Sequence, residues 1–443
     1  MILMKKTRSA IALLLTVLTL VGVMSLSACG LLSPTPDVHY GENIKVSSTR
    51  INELGELIIT YSDGTEMNAG VVAAGGDTVI NVQGDGGSVS AAATAGLSAA
   101  VSITANYKTA PTQSIIPGFG SSGGEEYAAQ GSGVIYKLNK ATGSAFIITN
   151  YHVVYDVDCN TKNKISDDID VFLYGSETED YAIPATFVGG SMNYDLAVLR
   201  VDGSDLLKRA SVGEVKMADA AACVGETAIA VGNPEGEGIS VSLGIVSVDS
   251  EYIVMYAPDG RTAVQPRVMR VDAAINSGNS GGGLYNSHGE LIGIVNAKIV
   301  DESVENIGYA IPVQVVENVV NNIIDHCYKT SVETVMRPTL GITVTSSSSG
   351  AVVDKETGML RIVETVVITE VSSGGIAKDA LKVGDALLSI KLGEVETEIT
   401  RQHHIVDLML NARVGESVSI TVLREGKEVV VPITLTQSAM KPY

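Results

Sequence analysis

Tryptophan is absent from this 443-residue chain, phenylalanine occurs four times, and aromatic residues make up only 5% of it. Glycine, by contrast, reaches 46 residues, a balance that fits β-rich domains with many tight turns better than helical bundles. Basic residues are also few: 30 Lys and Arg stand against 50 Asp and Glu, for a net charge of −20. That deficit argues against a nucleic-acid partner, because phosphate affinity comes from clustered cations. It equally argues against an electrostatic hold on anionic lipid. Cysteine occurs four times and never at a metal-like spacing, so a zinc site is not expected and nothing calls for a cofactor. What is plentiful is apolar material, 45% of the chain, enough core for the two or three domains its length implies.

The first residues indicate where the chain works. Lys5, Lys6 and Arg8 precede an apolar run from Ala10 to Met24, which ends at Leu26-Ser27-Ala28-Cys29. A basic start, a short apolar run and small residues at its end make a secretory signal. The run falls short of the about 20 residues that a permanent bilayer span needs. Leu-Ser-Ala-Cys is similar to the bacterial lipoprotein signal, in which the cysteine is lipidated and becomes the new N-terminus. Cys29 would then hold the protein to the outer side of a bacterial membrane; ordinary cleavage near Ala28 is the alternative. Cys159, Cys223 and Cys327 remain, an odd number that permits one disulfide without selecting its pair.

Residues 1–29 therefore read as the signal, and 30–88 as a tether with a β-hairpin. The hairpin rests on "ELIITYSDGTEMNAG", a β-branched run, an Asp63-Gly64 turn and a polar return. From residue 89 the pattern changes. "AAATAGL" predicts a short helix, and many brief strands follow, among them "SAFIITN", "LAVLRV", "TAIAVG", "VMRVDAAI" and "LIGIVNAKIV". Their length and spacing predict an all-β barrel or sandwich, closed by a helix over Val313 to Ile324. Asp325 to Pro338 reads as a linker. A second strand-rich unit follows, with Ile405, Leu408 and Met409 forming an apolar helical stripe.

The segment "DAAINSGNSGGGL", Asp272–Leu284, sits between two apolar strands, where a flexible linker has no place. Ser280 within it is inert unless a base takes its proton. Of six histidines, His152 in "FIITNYHVVYD" directly follows an apolar strand that can fix its side chain. The others fall in the tether, in turns or on helices elsewhere. A carboxylate must orient such an imidazole, and Asp195 opens the apolar run "DLAVLRV", where an ionised group is costly unless paired. Glycine lets the backbone aim two N–H groups at one developing oxyanion, and Gly278 and Ser280 are the candidate donors.

With "TNYHVV", "YDLAVLRV" and "DAAINSGNSGG" in the order His, Asp, Ser, the chain resembles the HtrA/Deg branch of trypsin-like serine proteases. "GSGVIY", "AVGNPEG" and "NIGYAIP" support this, and the resemblance spans roughly Ala91 to Thr436. It implies a mainly β protein: a trypsin-like double β-barrel over residues 89–328 with its active site between the barrels. His152 would be the general base, Asp195 its orienter and Ser280 the nucleophile. Where the family often carries Pro on each side of "GNSGG", this chain has Ser277 and Gly283, which add backbone freedom beside the nucleophile. Ala274 takes the place of the pocket-floor Asp of basic-specific relatives and is followed by Ile275, so small or medium aliphatic side chains are expected there. Lys298 should wall the same pocket. Residues 329–443 resemble a PDZ domain, with Leu340, Gly341 and Ile342 as the core of a carboxylate-binding loop. A homotrimer is implied by resemblance alone. The loop from Lys108 to Gly124, with Ile115, Ile116 and Phe119, occupies the place of a variable regulatory loop.

The reading that follows is a membrane-tethered extracytoplasmic endopeptidase that degrades misfolded exported proteins, its PDZ domain engaging exposed chain ends. A non-catalytic peptide-binding chaperone on the same fold is the alternative, and a surface-anchor role resting on the N-terminal hairpin is a third.

Overall fold

A computed structural model describes residues 46–51, 56–61, 66–71, 88–109, 125–297, 307–329, 335–353 and 360–442. The chain divides into a unit up to Val82 and a unit from Gln83 onward. In the first, β1 (Val46–Ile51), β2 (Glu56–Tyr61) and β3 (Glu66–Val71) form an antiparallel meander. The expected hairpin is thus three-stranded, because the segment before "ELIITY" pairs as well, from Val46 opposite Tyr61 to Ile51 opposite Leu57.

In the second unit, α1 (Val89–Ala99) leads directly into β4 (Ala100–Lys108). With β5 (Glu126–Asn139), β6 (Ser144–Thr149), β7 (Asp168–Leu173), β8 (Ile183–Ser191) and β9 (Leu196–Val201), it closes a barrel in the order β4-β5-β6-β9-β8-β7. Val101, Ile103, Ile135, Ile147 and Leu199 fill its interior. A single turn, α2 (Tyr151–Val154), follows β6.

The next sheet contains β10 (Lys216–Met217), β11 (Thr227–Gly232) and β12 (Ser240–Tyr252). A small separate hairpin, β13 (Met255–Tyr256) and β14 (Ala263–Val264), precedes its remaining strands. These are β15 (Arg267–Val271), β16 (Gly283–Tyr285), β17 (Glu290–Val295) and β18 (Gly308–Pro312). The order β17-β16-β11-β12-β15-β18 returns on itself through a β17–β18 pairing, giving a second barrel around Met269, Leu284 and Ile292. A further apolar cluster joins α1, both barrels and α3 (Val313–Asn322).

A widened π-type turn, Ile323–Tyr328, continues α3, and β19 (Met336–Pro338) pairs with β26 (Met440–Pro442). Most of the expected linker is therefore structured. Cys327, Val335 and Pro338 are buried, which an exposed connection would not allow. The C-terminal sheet runs β20 (Ile342–Val353), β21 (Leu360–Val371), β22 (Ala386–Leu392), β24 (Ser417–Arg424), β25 (Lys427–Thr434), with β23 (Val395–Glu398) beside β22. Helix α4 (His403–Asn411) contributes Ile405 and Met409 to its core. No helix among the described residues is long and apolar enough to cross a membrane. No disulfide joins Cys159, Cys223 or Cys327 among the described residues.

Candidate active site

His152 owes its place to packing at the end of β6. The apolar strand stops at the buried Asn150, whose side-chain amide donates to the Asp195 carbonyl at 2.8 Å. Tyr151 N–H donates to the same carbonyl, and the Tyr107 hydroxyl donates to Val153 O at 3.1 Å. Burial pushes the Tyr107 phenol well above its usual range, so it remains a donor across physiological pH. Val153 and Val154 are buried, while the His152 side chain keeps 19% of its surface exposed.

Asp195 lies just before β9 at φ 52°, a left-handed conformation that costs a side-chain-bearing residue about 1–3 kcal/mol unless its surroundings enforce it. Here they do. Asp195 is 3% exposed, and its carboxylate meets donors at both oxygens. His152 N–H donates to Oδ1 at 2.9 Å, while His152 Nδ1 (2.6 Å) and Asn296 Nδ2 (2.9 Å) meet Oδ2. A carboxylate oxygen at this distance accepts from a protonated ring nitrogen, so the tautomer that satisfies the contact carries its proton on Nδ1. Nε2 is thereby left as an acceptor. Asn296 was not singled out by the sequence pattern. Its signal is a polar residue ending the apolar strand "LIGIV", where burial demands a partner.

The loop from Asp272 to Gly282 presents Ser280, which is 5% exposed. Its backbone is held carbonyl by carbonyl. Ser277 O accepts Glu235 N–H at 2.8 Å, Gly278 O accepts the Ser132 hydroxyl at 2.7 Å, Asn279 O accepts Gly282 N–H at 2.9 Å, and Ser280 O accepts Ser132 N–H at 2.8 Å. In a trans peptide the C=O and N–H point in opposite directions. Anchoring the carbonyls of Ser277 and Asn279 therefore turns the N–H groups of Gly278 and Ser280 outward. Among the described residues neither of these two amides has an acceptor. Gly278 has φ 91°, and a Cβ there would stand 2.2 Å from Asn233 O, so only glycine fits.

The freedom expected from Ser277 and Gly283 is not seen. The Ser277 carbonyl is tied to Glu235, and Gly283 lies within β16, paired to Val231 and Ile294, with the Tyr285 ring where its side chain would be.

The structure thus unites His152 with Asp195 and sets the serine loop against the histidine turn: a Cβ on Gly281 would lie 3.0 Å from Asn150 N. It does not join Ser280 to His152 by a hydrogen bond among the described residues. Ser280 Oγ instead accepts the N–H of Ala297 at 3.2 Å. An oxygen engaged as an acceptor keeps its own hydrogen available for donation.

Of the pocket residues, Ala274 is exposed and its carbonyl accepts the Ser242 hydroxyl at 2.8 Å. Ile275 is buried against Gly308, where a Cβ would come within 2.5 Å of its Cδ1. Lys298, Cys29 and the loop residues Ile115, Ile116 and Phe119 lie outside the described residues. In the C-terminal unit, the Leu340 side chain is core, while its carbonyl and that of Gly341 are tied to Ala377 and Ser372 N–H groups. The same antiparallel logic turns the N–H groups of Gly341 and Ile342 away from those partners. Gly341 has φ 77°, and β20, which Ile342 opens, is the last strand of its sheet. An edge strand beside a helix can accept a peptide as an added strand.

Residues 131–294 match the family model for a trypsin-like peptidase domain, and residues 338–435 match that for a PDZ domain. Serine protease Do-like HtrA of Bacillus subtilis (strain 168) is 34% identical over 336 residues, covering 73% of this chain and 68% of that one. Serine protease Do-like HtrA of Lactococcus lactis subsp. cremoris (strain MG1363) is 32% identical over 328 residues, covering 71% and 72%. A solved structure of HtrA-type protease AlgW with decapeptide superposes with a TM-score of 0.50 at 26% identity, over 80% of this chain and 98% of that one.

Proposed function

The chain belongs to the HtrA family of serine proteases, and from that premise we propose that it cleaves misfolded exported proteins through an acyl-enzyme formed on Ser280. The observation that carries this reading is the buried Asp195 carboxylate, which fixes the His152 proton on Nδ1 beside a serine loop with two unclaimed amides. In the reaction Ser280 Oγ turns from Ala297 to Nε2 of His152, gives up its proton and attacks the scissile carbonyl. The N–H groups of Gly278 and Ser280 receive the oxyanion, and the imidazolium, stabilised by Asp195, returns the proton to the leaving amine. Ala274 and Ile275 offer no carboxylate to a cationic side chain, which supports a preference for aliphatic residues.

One observation favours a second reading, a peptide-binding protein without catalysis: the Ser280 hydroxyl rests on Ala297 and not on His152. A fluorophosphonate probe separates the two, since only an activated serine reacts. The wild-type chain should be labelled and Ser280→Ala should not. An unlabelled but folded wild type would overturn the proteolytic reading.

The PDZ unit would capture peptide ends on the amides of the Leu340–Ile342 loop. Gly341→Val forces a β-branched residue to φ 77° and sets its Cβ 2.4 Å from Gly375 Cα. Binding of a peptide C-terminus, read by fluorescence anisotropy, should weaken at least about tenfold. Unchanged affinity would place the binding loop elsewhere.

Anchoring through lipidated Cys29 on the extracytoplasmic face of a bacterial membrane, as a homotrimer, rests on the N-terminal signal and on family resemblance. Cys29→Ser should move the protein from the membrane fraction to the soluble one, with light scattering still giving three subunits. Retention with membranes, or a monomer, would remove the corresponding part of the proposal.

A further inference from the structure

Ser132 in β5 is fully buried, and each of its polar atoms points at the catalytic machinery or its immediate supports. Its N–H donates to Ser280 O at 2.8 Å, and its carbonyl accepts the Thr149 hydroxyl at 2.7 Å, just ahead of the His152 turn. Its hydroxyl accepts Asn233 N–H at 2.8 Å and donates to Gly278 O at 2.7 Å. We propose that the Ser132 hydroxyl is a positioning residue that keeps the oxyanion amides aimed at the substrate. The inference rests on Ser280 being the nucleophile.

The peptide between Gly278 and Asn279 lies between the two amides that would receive the oxyanion. It is held at its N–H by Asn276 O (3.0 Å) and at its carbonyl by Ser132. The glycine at φ 91° on one side of it makes rotation of this peptide cheap, so the hydrogen bond must supply the rigidity that the backbone lacks. The same hydroxyl also holds the turn from Asn233 to Gly236 through Asn233 N–H. Within that turn Glu235, strained at φ 56°, donates the N–H that anchors Ser277 O and so aims Gly278 N–H. One oxygen thus governs one amide through the shared peptide and the other through the neighbouring turn. Without it a buried carbonyl and a buried N–H lose their partners together, and both would rotate in search of new ones.

Such a role acts on the transition state more than on substrate binding. Ser132→Ala should lower kcat on labelled casein about 10- to 100-fold, a fraction of the effect of deleting an oxyanion donor outright, with KM changed less than about threefold. A peptide aldehyde with an aliphatic end, whose hemiacetal oxygen occupies the same site, should lose affinity by a similar factor. Counting sites by fluorophosphonate burst and following unfolding by circular dichroism keeps a merely structural effect apart: that would reduce the number of active sites and leave kcat per site intact. Intact kcat per site, or equal losses in kcat and KM without loss of aldehyde affinity, overturns the inference. Ser280→Ala run in parallel tests the underlying assignment. If it still cleaves casein, the nucleophile reading fails. If it is inactive while Ser132→Ala matches wild type, only the positioning role fails.

Discussion

Asp195→Asn is expected to lower kcat on casein by about 10⁴-fold while leaving the fold intact. Three groups around the carboxylate are donors: His152 N–H, His152 Nδ1–H and Asn296 Nδ2–H. A carboxylate satisfies three donors with two oxygens, but an amide offers one oxygen and places an N–H₂ against whatever faces its other side. If the amide nitrogen faces the imidazole, Nδ1 becomes the acceptor and the proton moves to Nε2, where it can no longer take a proton from Ser280. If it takes the place of Oδ1 instead, it confronts the His152 backbone N–H, and two donors facing one another in a buried site cost roughly 1–3 kcal/mol. The first orientation also sets an N–H₂ group against Asn296, but that side-chain amide can turn its own oxygen inward and the backbone N–H cannot, so the lower-energy choice is the inactive tautomer. Initial rates normalised to protein with native circular dichroism test this, and a loss under about tenfold would show that Asp195 does not set the tautomer. The positive φ at residue 195 adds little to the effect, because Asn tolerates that conformation as well as Asp does.

The parts of this site that were legible in the sequence are those whose chemistry is rare for their surroundings. A histidine after an apolar strand, an aspartate opening another and a serine among glycines each stand out from their neighbours. Ser132, Asn296 and Glu235 act through hydrogen bonds to residues distant in sequence, and nothing in "QGSGVI", "IVNAKIV" or "GNPEGE" marks which atom each will meet. Ser132 and Gly278 are joined across the gap between β5 and the serine loop, a separation that local pattern cannot bridge. Strand and helix spans were readable from periodicity: the helices expected near Val313 and His403 are α3 and α4. Asp325 to Pro338 lacked such a pattern, because its buried residues belong to a widened turn and to a short strand whose partner, β26, lies at the end of the chain. The same blindness to tertiary context applies to His403 and Asp407, which open and line a C-terminal helix in sequence but in space are buried and half-buried, respectively, at a seam with the protease barrels.

Asp407→Asn should stabilise the protein at pH 8 by about 3 kcal/mol and leave it unchanged near pH 4. On its face this is the wrong sign, since Asp407 pairs with Arg267 at 2.5 Å and Arg267 is 5% exposed. Breaking a buried pair usually costs about 3–5 kcal/mol. Burial nevertheless raises the Asp407 carboxyl from 3.8 to about 6, with Arg267 and Arg337 only partly offsetting the desolvation. Between those two values the folded protein binds more protons than the unfolded chain, so this group's contribution falls as pH rises through the window and stays low above it. At about 1.4 kcal/mol per unit the loss is near 3 kcal/mol. Near pH 4 the carboxyl is already neutral and an amide of the same shape replaces it without cost. His403, one helical turn earlier and beside Ser250, slopes the other way. Burial, aided by Arg267, His404 and Arg401, lowers it from 6.5 to about 2, so stability is lost as pH falls below 6.5. Arg401 also pairs with Asp249 and Glu364, which puts negative charge at the same seam. In the wild type the Asp407 and His403 slopes oppose one another between pH 4 and 6; in Asp407→Asn the slopes of His403 and of His404, which burial also lowers, lose that opposition, and the unfolding temperature should climb steadily across that range. A variant less stable than wild type at pH 8 would mean that the ion pair outweighs its desolvation, and that charge attraction fastens α4 to β15.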